Sequence, residues 1–173
     1  MAFEYMLRLL EYSWKIFISP WLDQKGIWMI LPLILILIFI HIYFGRHRSE
    51  ELGWNSAFSN SISLLWVEIT LLRFSLEEHS LGQLLSGPEF GKAMVVGFLG
   101  LWVIALAVFN FFHIVSKRFA FMASSPSSVY VLAYIAVSLV VADFTIVKET
   151  IISSIMLFFI LLLLINMIKL SIP

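Results

Sequence analysis

Residues 53–74 read GWNSAFSNSISLLWVEITLLRF, and they decide both how many membrane spans the chain has and where a functional site would lie. The stretch is long enough to cross a bilayer as a helix, which takes about 20 residues. Yet its polar and charged side chains are numerous: Asn55, Ser56, Ser59, Asn60, Ser61, Ser63, Glu68, Thr70 and Arg73. Lipid cannot hydrogen-bond these groups, so at membrane depth they must face protein or water.

Composition places the whole chain in the membrane class. Of its 173 residues, 61% are hydrophobic and 13% are charged, whereas an ordinary soluble domain is about half apolar and a quarter charged. The formal net charge is zero, which gives no indication of nucleic-acid binding. Cysteine is absent, which excludes disulfides, thiolate nucleophiles and cysteine-bound metals. We therefore expect an all-α integral membrane protein.

Apolar runs on both sides of residues 53–74 predict four further spans. The five predicted spans are 27–44, 53–74, 93–116, 129–147 and 151–170, and residues 26–173 form one transmembrane helical bundle. A second architecture has four spans, with 53–74 re-entering the membrane or packed within the bundle. Six basic residues lie on one side of the five-span arrangement and five on the other, so the positive-inside rule does not orient it.

Residues 1–25 predict an amphipathic helix followed by a turn. The helix is expected to lie in the membrane interface or, alternatively, to offer a docking face for a partner helix. Glu4, Arg8, Glu11 and Lys15 share one face at helical spacing, and apolar and aromatic residues cover the rest. Pro20 and the turn over residues 23–26 are expected to end this helix. Further along the chain, Ser-Leu-Glu-Glu at 75–78 predicts a capping box for a short surface helix.

A helical wheel divides the polar side chains of the second predicted span into two sets. Glu68 and Ser61 lie on the side opposite to a polar stripe about 140° wide, whose members are Asn55, Ser56, Ser59, Asn60, Ser63 and Thr70. Serine, threonine and asparagine commonly join membrane helices to one another. The stripe is therefore interpreted as a helix–helix contact or, alternatively, as the lining of an ion or solute path.

Glu68 is the most distinctive single residue of this span. It lies about 9 Å from the end of the span, where an ionised carboxylate is costly unless it is paired or hydrated. The second and fourth spans run in the same direction, so Glu68 and Asp143 approach the same membrane face. They are expected either to meet as an ion or proton site or to reach the lipid headgroups separately.

His41 and His113 lie late in the first and third spans and approach the opposite face. Histidines on neighbouring membrane helices can bind haem or a metal. The alternative is that each is hydrogen-bonded or interfacial, with Asn110, one turn before His113, as a partner. No nucleophile elbow, zinc-protease motif or phosphate-binding loop occurs in the sequence.

These patterns predict no cofactor and favour a non-enzymatic subunit or scaffold of a membrane complex. Its partners would be the lipid bilayer and either a second copy of the chain or another membrane protein. The alternative is a small oligomeric channel or transporter with Asn55, Ser59, Asn60, Ser63, Glu68, Thr70 and Asp143 along the path. A haem-binding electron carrier that uses His41 and His113 is a more distant alternative.

Overall fold

The computed structural model describes residues 2–46, 53–142 and 144–171, and within these ranges the chain forms helices and short connections with no strand. The predicted all-α class is thereby confirmed. The described residues contain eight helices: α1 (Ala2–Leu22), α2 (Gln24–Arg46), α3 (Trp54–Glu78), α4 (Leu81–Ser86), α5 (Phe90–Phe112), α6 (Lys117–Ala123), α7 (Pro126–Val141) and α8 (Lys148–Ser171).

Three of these helices are long and apolar enough to cross a membrane. The segments that meet both conditions are Gln24–Phe44, Phe90–Phe112 and Lys148–Lys169, in α2, α5 and α8. Helices α6 and α7 together would make a fourth span, bent by 43° at the break between them. The described ranges thus contain three such helices, or four if the bent pair is one span, and the sequence predicted five.

Helix α3 is the predicted span that falls outside this set. It is one continuous helix of 25 residues, so its length suffices, but its Asn, Ser and Glu side chains make it too polar. It packs along α5 on one side and against α6 and α7 on another. Helix α7 lies at the centre of the bundle, since nearly all of its residues from Val129 to Val140 are buried. This arrangement lets α3 place polar groups inside the protein.

Helix α1 is packed against the bundle by one narrow face. The residues of α1 that are buried against α2, α7 and α8 are Leu9, Ser13, Ile16 and Pro20. The Ser13 hydroxyl donates a hydrogen bond to the Ser153 carbonyl oxygen at 3.0 Å. The charged face predicted from the sequence is exposed.

Two charged residues of this exposed face of α1 form an ion pair. The Lys15 ammonium lies 2.8 Å from the Glu11 carboxylate. The hydrogen bond from Lys15 lowers the pKa of the Glu11 carboxyl most, and the positive charge of Lys15 lowers it further.

Pro20 and a turn over residues 23–26 were predicted to end α1. The helix passes Pro20 and ends at Leu22, and the turn is reduced to Asp23 because α2 begins at Gln24. A proline inside a helix has no N–H to donate to the carbonyl four residues earlier. Here the Ser19 hydroxyl donates to that carbonyl, Ile16 O, at 2.9 Å. The neighbouring side chain thus replaces the missing backbone donor, and the helix does not need to stop.

The predicted capping box at residues 75–78 was also wrong. Those residues belong to the last turn of α3, where Ser75 is buried. The capping box lies five residues later and starts α4. The Ser80 hydroxyl accepts from the Gln83 N–H at 3.4 Å, and the Gln83 side-chain oxygen accepts from the Ser80 N–H at 2.9 Å. A capping box does start the short helix, but it begins at Ser80 and not at Ser75, because α3 extends further along the chain than its apolar pattern suggested.

Candidate functional site

Helix α3 presents polar side chains in two directions. Asn60, Ser61, Glu68 and Ser75 are buried against neighbouring helices. Asn55 and Ser59 are exposed, while Ser63 and Thr70 are half-buried. The stripe predicted from the helical wheel is therefore divided, because Asn60, at its edge, points inward.

The first set of polar groups forms a buried hydrogen-bonded cluster. The Asn110 amide nitrogen of α5 donates to Ser61 Oγ at 2.9 Å and to Ser124 Oγ at 2.7 Å. The Asn60 amide nitrogen donates to the Ser124 carbonyl oxygen at 2.8 Å. All four residues are at least nine-tenths buried. The cluster therefore ties α3 and α5 to Ser124.

This cluster explains how a broken helix is tolerated in the bundle. Ser124 is the first residue of the break between α6 and α7, where the backbone leaves its helical ladder. In an apolar medium such backbone groups must find partners inside the protein. Asn60 supplies a partner for the Ser124 carbonyl oxygen, and Asn110 donates to the Ser124 hydroxyl, so we interpret Asn60 as a structural residue of this cluster.

The two histidines have different surroundings. His113 ends α5 in the left-handed conformation, with φ of 54°, and its ring stacks on Trp54 with 4.1 Å between centroids. His41 contacts the Leu37 carbonyl oxygen through Nδ1 at 2.7 Å and Ser127 Oγ through Nε2 at 2.9 Å. Asn110 belongs to the buried cluster, so its predicted hydrogen bond to His113 was wrong.

No arrangement of side chains for a metal ion was found in the part of the chain that the structure describes. Within those ranges, no group of three or more His, Cys, Asp or Glu residues is placed to hold an ion.

Glu68 lies in the interface between α3 and α5 and is 8% exposed. It rests against Gly100, where a Cβ added to the glycine would lie 2.9 Å from Glu68 Oε1. Its other carboxylate oxygen, Oε2, is buried and has no hydrogen-bond partner. The predicted second acid, Asp143, lies outside the described residues. Glu68 thus faces a neighbouring helix, on a different side of α3 from Ser63 and Thr70.

A groove of about 610 Å³ separates α2 from α3. Trp28 of α2 and Trp66 of α3 stand along its walls, and Tyr130 and Val137 of α7 line it between them. Ser63 and Thr70 supply polar groups on the α3 side. A volume of about 300–1,000 Å³ is typical of sites that take up a ligand or an inserted group.

Charged residues gather at one end of this groove. Lys25, Arg73 and Glu77 line it there. Arg73 pairs with Glu77 at 2.7 Å along α3, and Lys25 of α2 pairs with Glu78 of α3. This end is the one at which α2 begins and α3 ends.

The outward side chains of α3 form a continuous band that borders the groove. From here on, the name polar stripe refers to this observed band and not to the wider predicted one. At about 100° per residue it is about 80° wide, and its members are Asn55, Ser59, Ser63, Trp66, Thr70, Arg73 and Glu77. Ser63 donates to the Ser59 carbonyl oxygen at 3.1 Å, and Thr70 donates to the Trp66 carbonyl oxygen at 2.9 Å. Their hydroxyl oxygens retain lone pairs that can accept from an incoming donor.

Two features of the site were not predicted from the sequence. The groove depends on how α2 and α3 diverge over α7, which no local pattern encodes. The break at Ser124 had a signal, since serines surround Pro126 and this proline opens α7. The serines around this proline favour a break in the helix, but they do not indicate that Ser124 contacts Asn60.

Comparison of the chain with protein-family models, with curated proteins and with solved structures found no match.

Proposed function

We propose that this chain is a non-enzymatic subunit of a membrane complex and that it holds a transmembrane helix of another membrane protein. In this proposal α3 and the bent α6–α7 pair cross the membrane with α2, α5 and α8, and α1 lies in the interface. The partner helix lies along the polar stripe and enters the groove between α2 and α3. One observation carries the proposal: the exposed Asn55 and Ser59 continue along α3 into Ser63 and Thr70, which line the groove.

Lipid alone is a poor neighbour for the polar stripe. The Asn55 amide and the Ser59 hydroxyl are exposed, and acyl chains offer no hydrogen bonds to them. Between membrane helices, such groups contribute about 0.6–2 kcal/mol each when they find a partner. A helix with donors and acceptors at matching spacing supports all of them at once, which favours a protein partner.

The shape of the surface favours a different protein over a second copy. The exposed middle portions of α2, α5 and α8 are apolar, with residues such as Phe39, Leu101 and Phe159. A second copy could offer matching polar groups only through its own α3, which is itself the wall of a groove. A groove accepts a protruding helix more readily than another groove, so we favour a foreign helix.

A bulky side chain in the groove tests this proposal. We expect Ser63→Trp to fill the groove and release the partner, so that the native complex in mild detergent falls to the mass of the single chain. Leu101→Trp is the matched control, because Leu101 is 73% exposed on α5 away from the groove. An unchanged complex in Ser63→Trp would overturn the proposal.

Co-expression of two differently tagged copies identifies the partner. We expect neither tag to recover the other copy. Recovery of the second copy, lost in Ser63→Trp, would replace the foreign helix with self-association.

The channel alternative uses the same polar stripe in a different way. In an oligomer the hydroxyls of Ser63, Thr70 and Tyr130 along the groove could line a water-filled path. The burial of Glu68 against α5 weighs against its role as an ion site on that path. If ion flux into liposomes falls in Ser63→Leu but not in Glu68→Gln, the result would favour a channel whose path does not include Glu68.

A further inference from the structure

A second pocket, of about 360 Å³, lies at the opposite end of the bundle from the charged residues of the groove. It is formed by the end of α2, the start of α7 and the end of α8. The apolar segments of α2 and α8 end at Phe44 and Lys169, and both residues line the pocket. Its depth therefore corresponds to the headgroup region of a bilayer.

Two donors on α8 face this pocket without partners. The Asn166 amide and the Lys169 ammonium both line it, and neither forms a hydrogen bond or ion pair within residues 2–46, 53–142 and 144–171. Lysine carries a compact charge with three donors, and an asparagine amide adds two more. Among the described residues, no carboxylate lines the pocket beside this lysine.

The opposite wall holds the polar pair of His41 and Ser127. Carbonyl oxygens only accept hydrogen bonds, so His41 Nδ1 must be the donor in its 2.7 Å contact with Leu37 O. In the neutral ring, Nε2 then accepts from the Ser127 hydroxyl at 2.9 Å. This fixes the imidazole at the side of the pocket, where it limits the space beside Lys169.

An apolar wall completes the pocket, and it is formed by Ile40, Phe44 and Leu162 together with Phe121 of α6. Ser125 and Ser128 add hydroxyl groups at the start of α7. The Lys117 ammonium lies 5.4 Å from the centre of the Phe121 ring and adds a second cation near this wall. A cationic, donor-rich rim over an apolar wall fits a molecule with an anionic head and a hydrocarbon tail.

We propose that this pocket binds the phosphate of an anionic phospholipid, with Lys169 and Asn166 as its donors and the apolar wall against an acyl chain. The phosphate is the chemistry that the donors recognise, and a soluble phosphate could supply it as well. The apolar wall favours the lipid. This site shares no residue with the groove or the polar stripe, so the two proposals can fail separately.

Native mass spectrometry of the purified chain with added phosphatidylglycerol, phosphatidylcholine or inorganic phosphate tests the site. We expect phosphatidylglycerol to bind more tightly than phosphatidylcholine. Lys169→Gln should weaken phosphatidylglycerol binding about fivefold, the effect of one lysine on an anionic lipid. Lys148→Gln, at the opposite end of the same helix, is the matched control and should leave the binding unchanged.

A labelling experiment tests the same site without a variant. Phosphatidylglycerol nanodiscs should protect Lys169 from acylation by a small amine reagent, relative to phosphatidylcholine nanodiscs. Equal binding by the wild type and Lys169→Gln, or equal labelling in both lipids, would overturn the site. Protection by inorganic phosphate but not by phosphatidylglycerol would overturn its assignment to a lipid.

Discussion

Gly100 leaves the space that the Glu68 carboxylate occupies between α3 and α5. A methyl group there would lie 2.9 Å from Glu68 Oε1, so the carboxylate would have to shift within the interface. We predict that Gly100→Ala lowers the free energy of unfolding by about 1–2 kcal/mol, because the cost of overpacking is partly offset by the higher helix propensity of alanine. Thermal unfolding in detergent measures this.

Gly97, one turn earlier on α5, is the matched control for this substitution. A Cβ there would meet nothing within 4 Å, and alanine favours a helix over glycine by up to about 1 kcal/mol. Gly97→Ala should therefore be neutral or stabilising. In a Glu68→Ala background the cost of Gly100→Ala should disappear, and a cost that persists would contradict the contact.

Asn110 is the residue on which the buried polar cluster depends most. It donates to Ser61, Ser124 and the Ala57 carbonyl oxygen, so Asn110→Ala removes three buried hydrogen-bond contacts. We predict a loss of about 1–3 kcal/mol in the free energy of unfolding, at the scale found between membrane helices. Asn55→Ala is the control: Asn55 is exposed on α3, and its loss should change the stability of the single chain by less than about 0.5 kcal/mol. Equal effects would contradict the distinction between the two faces of α3.

At the scale of elements, α1 is held to the bundle by a short chain of hydrogen bonds. Trp21 Nε1 donates to the Tyr134 hydroxyl at 2.9 Å, and that hydroxyl donates to the Phe17 carbonyl oxygen. We predict that Tyr134→Phe, which removes both bonds, speeds amide hydrogen exchange in α1 but not in α5. Tyr5→Phe, at an exposed position on α1, should leave exchange unchanged. Faster exchange throughout the bundle would show that Tyr134 supports the core and not α1.

The elements also show what could be predicted from the sequence. Helix positions followed from runs of apolar residues, and Ser61 and Glu68 were separated from Ser63 by helical periodicity alone. The continuation of α1 through Pro20 depends on one serine hydroxyl, and the position of the capping box depends on the length of α3. The inward turn of Asn60 depends on where α6 breaks. The hydrogen bond from Ser19 to Ile16 lies within one helix turn, whereas the inward turn of Asn60 is set by its contact with Ser124, 64 residues away, which local patterns do not contain.

At the scale of the whole molecule, the polar groups of the membrane region are divided between two uses. Asn60, Ser61 and Asn110 join helices within the chain around the break at Ser124. Among the described residues, the polar stripe of α3 contacts α7 where Ser63 meets Tyr130, and it borders the groove beside α2. This division is why we assign the first set to folding and the second to association.

The central claim is that the polar stripe contacts a partner helix. Site-specific photo-crosslinking along α3 in native membranes tests this contact most directly. A photoreactive residue at Ser59, Ser63 or Thr70 should form adducts with one membrane protein. Leu72 is the control, since it is also exposed on α3 but lies about 100° from the edge of the stripe. We predict high yields at the three stripe positions and little at Leu72. Equal yields at Leu72, or adducts with lipid alone at all four positions, would contradict the account.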